Sequence, residues 1–125
     1  MKTPIAAALA ISLSLPVAAL AQSWDANQVV ASIAGSHFLS AAEYADSMAS
    51  IRVVRLSTLA GAERVVDRLE VARDIKERDI RYLQSQLRQN FAARVAVNGA
   101  GVTLDQIVAI YSTDRRVGVI YADDL

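Results

Sequence analysis

The chain has 125 residues, 54% of them hydrophobic and 21% charged, with 13 basic and 13 acidic side chains, one histidine and no cysteine. That length predicts one domain, and the apolar fraction excludes a disordered polymer. A net charge of zero argues against a nucleic-acid binder, which shows a basic excess or a basic face. The missing cysteine removes disulfides, thiolate metal sites, a thiol nucleophile and a lipid-anchor cysteine.

Residues 1–21 read as a secretory signal peptide. Met1-Lys2 supplies one positive charge, and an apolar run from Ile5 to Leu15 is interrupted only by Ser12 and Ser14. Pro16 ends the helix such a run forms, because its ring removes a donor and clashes with the preceding turn. The small-residue site Ala19-Leu20-Ala21 then precedes Gln22. An uncleaved anchor is the alternative, but a span needs about 20 apolar residues and this one is shorter and rich in alanine. Cleavage leaves Gln22 to Leu125, with 12 basic and 13 acidic residues. The expectation is therefore an exported protein, periplasmic or secreted, with no integral membrane segment once the signal is removed. At about 100 residues a domain buries a little over 60% of its unfolded surface, enough to fold without cross-links.

Residues 22–50 read as an N-terminal arm or short helices, and 51–125 as a compact α+β domain. Asp25 or Asn27 is placed to cap a helix over 24–34 with Val29, Val30 and Ile33 inward and Gly35 at its end. Ser40 to Glu43 has capping-box spacing, with Tyr44 and Met48 turned inward after it. Ile51 to Leu56, short and β-branched, reads as a strand. A long amphipathic helix or helix pair follows over 62–97. Its apolar stripe runs through Val65/Val66, Leu69, Ala72, Ile75, Ile80, Leu83, Leu87, Phe91 and Val95. The slip between Ile75 and Ile80 predicts a bend there or near Gln84-Ser85-Gln86. Asp74 with Arg78 and Glu77 with Arg81 have ion-pair spacing.

Asn98-Gly99-Ala100-Gly101 suits a helix C-cap, and Thr103 to Gln106 is a second capping box. Two β-rich runs, Ile107–Tyr111 and Val117–Tyr121, then flank a polar link and predict an antiparallel hairpin over 107–121. Depending on register, Val108 and Ile110 can share a face with Val117, Val119 and Tyr121, with Ile107, Tyr111 and Ile120 on the other. The fold class expected is α+β: a small antiparallel sheet, formed by strand 51–56 and hairpin 107–121, packed against the helical region 62–97, with short helices before it.

Chemistry is thinly supported. His37 follows Ser36 in a loop, but a catalytic base needs a nucleophile and an orienting carboxylate in reach, which this spacing does not place. Asp123-Asp124 lacks the ligand spacing of an organised calcium loop. Asn98–Gly101 lacks the Gly-Lys-Ser/Thr of a phosphate loop. Arg52, Arg55, Arg64 and Arg68 alternate with apolar and acidic residues, so no nucleic-acid stripe forms. Tyr111 and Tyr121 read as core residues before they read as the rim of a pocket. The sequence therefore assigns no catalytic residue, no cofactor-binding residue, no metal ligand and no cofactor.

One feature exceeds background. Both faces of the hairpin carry large apolar groups, so either residues 24–50 cover the second face or a protein partner or second copy docks through the hairpin. The expected function is a non-enzymatic protein-binding or structural domain. A small-ligand or lipid carrier with a pocket between sheet and helix is the alternative, and a hydrolase using Ser and His37 comes third.

Overall fold

The computed structural model describes residues 24–35, 39–112 and 114–125. The signal expected at 1–21, with Ser36 and His37, lies outside these residues. In chain order the elements are α1 (Ala26–Ala34), α2 (Leu39–Ala42), β1 (Ser50–Arg55), α3 (Val66–Ile75), α4 (Glu77–Arg88), α5 (Phe91–Ala100), β2 (Ile107–Tyr111) and β3 (Val117–Ala122). Short 3-10 turns at Ala45–Ser47, Leu56–Thr58, Ala62–Arg64 and Leu104–Gln106 join them. The α+β class holds.

The sheet is mixed, which corrects the antiparallel expectation. Its order is β1-β3-β2, with β1 parallel and β2 antiparallel to β3. The last strand takes the central position, and the charged strand β1 is left at an edge. Val117–Ala122 carries no charge and is buried from Gly118 onward, whereas β1 exposes Arg52 and Arg55. Charged residues on an outer strand discourage edge-to-edge pairing. The strand expected over 51–56 runs one residue earlier, and Leu56 turns into the core as the first residue of a 3-10 turn.

The hairpin register decides which of these residues share a face. Tyr111 pairs with Val119, Ile110 with Ile120 and Ala109 with Tyr121, with an irregularity between Ile107 and Ala109. Directly paired residues share a face, so Tyr111, Val119 and Tyr121 lie together and Ile110 joins Ile120. Trp24 covers the first group, its ring edge-on to Tyr111 at 4.9 Å and stacked on Tyr121 at 6.0 Å. On the second face Gly118 leaves room for Met48. A Cβ there would fall 2.5 Å from the Met48 sulfur.

Local signals explain the helix starts. The Asp25 carboxylate accepts from the Gln28 N–H at 2.8 Å while the Gln28 side chain accepts from the Asp25 N–H at 2.8 Å, a complete capping box on α1. The buried side of α1, with Val29, Val30 and Ile33, packs in the same core as the sheet. The region expected as one helix or a pair is three helices. Lys76 leaves helical geometry at φ −103°, ψ 21°, at the predicted Ile75–Ile80 slip, while the second break falls at Gln89-Asn90 and not at 84–86. Glu77 and Arg81 form their ion pair at 2.6 Å, both exposed. Asp74 and Arg78 fall on opposite sides of the Lys76 break.

Candidate interaction surface

The surface begins at Asn90. Its side-chain oxygen accepts from the Ala92 N–H at 2.8 Å and the Ala93 N–H at 3.4 Å, capping α5. Its amide nitrogen donates to the carbonyls of Ala45 and Met48, both at 2.8 Å. The helix therefore restarts in a phase set by these four bonds and not by the stripe that precedes it. Ala93 and Val97 turn into the core, while Phe91 and Val95, expected in the core, turn out with 71% and 54% of their area exposed. They lie one turn apart on a single face.

Phe91 and Val95 border an open groove of about 580 Å³ whose apolar wall continues through Val97, Val102 and Leu104. Arg94 holds its guanidinium 5.7 Å from the centre of the Phe91 ring. Across the groove, Arg88 and Asp105 pair at 3.3 Å, with both side chains largely in solvent. The same Arg88 and Asp105 border a second, larger trough of about 930 Å³ between α3, α4 and the chain's last residues. Five carboxylates and three guanidiniums line that trough. Arg73, Arg81 and Arg88 are each bonded to a carboxylate within it, at Asp123, Glu77 and Asp105. Glu70 and Asp74 supply the remaining negative charge, above a floor that includes buried Leu69 and Ile80. A positive apolar groove and a negative trough thus share one ridge.

The outer side of α3 is also partly apolar. Ile75, another residue expected in the core, is 72% exposed and Val71 56%. Charged Asp74, Lys76, Glu77, Arg78 and Asp79 surround Ile75, so it forms no continuous apolar wall.

The residues singled out by sequence take structural places. Asp123 bonds Arg73 at 2.7 Å. One Asp124 oxygen accepts from the Ser57 N–H at 2.9 Å and the other from the Ser57 hydroxyl, with the Arg55 Nε at 3.7 Å. Burial alone would raise the Asp124 carboxyl, but the Ser57 hydrogen bonds and the Arg55 charge hold it below its ordinary range. The two carboxylates tether the chain end instead of forming a solvated tail. Tyr121 is buried, and that burial, with Tyr111 beside it, pushes its phenol far above the ordinary range. Gly101 closes α5 with φ 75°, its N–H donating to Asn98 and the Val102 N–H to Val97, which is the helix-terminating arrangement.

Both faces of the hairpin are apolar, as expected, and residues 24–50 supply cover for them through Trp24 and Met48, the first of the two expected outcomes. Residues 107–110 and 118–122 are buried within the chain, so the docking face expected there is already covered. The space between sheet and helices is filled by Leu83, Leu87, Ala93 and Val97, all buried. Both grooves described above are open to solvent. Sequence reasoning missed Asn90, Phe91 and Val95 as a unit, and the available signal was a cap-forming residue inside the supposed long helix.

No family model matches the chain, and no curated protein or solved structure matches it. Among the described residues no helix is long and apolar enough to cross a membrane, and no three His, Asp or Glu side chains converge as metal ligands.

Proposed function

We propose that the protein is an exported, non-enzymatic domain that binds protein through the outer face of α5. The observation that carries this reading is the exposure of Phe91 and Val95 beside an apolar wall of Val97, Val102 and Leu104. An exposed aromatic next to a groove, with arginine at its rim, has the composition of an interface centre. Export rests on the charged start, apolar run and small-residue cleavage site of residues 1–21.

A photo-crosslinking side chain placed at Val95 in intact cells tests the surface. A discrete protein adduct from Val95, absent when the crosslinker replaces exposed Arg52 on β1, is the expected result. Equal adducts from both positions, or none from Val95, overturn the reading. N-terminal sequencing of the accumulated protein addresses export: a chain starting at Gln22 is expected, and a cytosolic chain retaining Met1 contradicts it.

A further inference from the structure

We propose that the occupant of this surface is a second copy of the chain, docked about a two-fold axis that passes near the Arg88–Asp105 ridge. The inference rests on the α5 face being a binding surface and adds what binds it. A two-fold interface joins one patch to itself, so the patch must contain both a feature and its complement side by side.

The two grooves meet that requirement. On one side of the ridge stands a cationic knob, the Phe91 side chain, 71% exposed at the border of its groove, with Arg94 against its ring. On the other side lies a concave trough whose lining carries five carboxylates against three guanidiniums, the guanidiniums already engaged. Rotation about the ridge sets the knob of each copy over the trough of the other. Arg94 then meets the excess charge of the partner's Glu70 and Asp74, and the Phe91 ring faces the exposed apolar side chains of the trough lining, the partner's Val66 and the partner's Leu125. Each contact occurs twice. Complementary charge fixes this register and disfavours the parallel alternative, which sets Arg94 against Arg94. The exposed Arg88–Asp105 pair at the axis is weakly held and free to exchange partners.

The test uses protein expressed from the full coding sequence and purified in the form that cells accumulate. Sedimentation equilibrium of the unaltered protein is expected to show a mass rising toward twice the monomer with concentration, and falling back in high salt. R94E is expected to weaken self-association at least tenfold, and so is the double variant E70K/D74K. Mixing these two impaired proteins restores a dimer, because the reversed knob of one now fits the reversed trough of the other while the remaining contact is unaltered. These are surface positions, and circular dichroism checks that each variant folds. An unaltered protein that stays monomeric at every concentration overturns the proposal, as does a mixture that fails to reassociate. A monomer that still gives a Val95 adduct of a different protein overturns self-association and leaves the binding surface standing.

Discussion

Asn90 is the buried polar residue of the described core, and every hydrogen-bonding position of its amide is used. The oxygen caps α5 while the nitrogen satisfies two carbonyls in the turn that delivers Met48 to the sheet. Asn90→Ala removes a cap worth about 1 kcal/mol and strands two acceptors at about 1 kcal/mol or more each. Urea denaturation is expected to show a loss of about 3 kcal/mol. Asn90→Asp keeps the cap but sets a carboxylate against the Ala45 and Met48 carbonyl oxygens, and a comparable loss is expected. A change below 1 kcal/mol in either variant contradicts this account of how the α5 face is positioned.

At the scale of elements, α5 carries two glycines that predict opposite effects. Gly99 lies inside the helix with nothing within 4 Å of an added Cβ. Glycine costs nearly 1 kcal/mol against alanine in a helix interior, so Gly99→Ala is expected to raise stability by about 0.5 kcal/mol at this terminal turn. Gly101 also has free space, but its φ of 75° is the left-handed geometry that a Cβ resists. Gly101→Ala is therefore expected to cost about 1 kcal/mol. Melting temperatures that move in the same direction for both refute the assignment of the helix end. These residues show what the sequence made legible. Asp25, Thr103 and Gly101 act on neighbours three or four positions away, so their roles follow from spacing. Ile75, Phe91 and Val95 did not, because steps of three and four describe a stripe without recording where a helix stops and restarts. Lys76 and Asn90 reset the phase, and the stripe continues onto the outside of α5. The parallel pairing of β1 with β3 was equally hidden, since it joins strands more than sixty residues apart and depends on the path of the helices between them and not on any local signal. Two of the elements that carry the candidate surface were visible in outline, and its outward aim was not.

Across the whole molecule, the residues that follow β3 are fastened by charge. Asp124 binds Arg55 at the end of β1 and Ser57 just after it, and Asp123 binds Arg73 on α3. The Asp124 side chain is 17% exposed and its carboxyl is held below the ordinary value of 3.8. A carboxyl depressed in the native state contributes stability that is complete above the unfolded value and is lost as pH falls through the native one. Asp124→Asn is expected to lower stability at pH 7 by about 1 kcal/mol. Its difference from the unaltered protein shrinks as the pH is brought below 3.8. A deficit that persists unchanged at pH 2, measured by denaturant titration, means that the tether is steric and not ionic.

The central place of β3 has a consequence for how the protein is made. The strand that both neighbours require is synthesised after both of them, and Trp24, the earliest described side chain, rests on Tyr121 from that strand. Neither ladder of the sheet can zip before residues 117–122 are delivered, so the non-local pairing of Ser50–Arg55 has to wait for a strand made more than sixty residues later. A nascent chain of this design emerges from the ribosome unable to complete its own architecture. Its sheet stays unclosed until that third strand arrives.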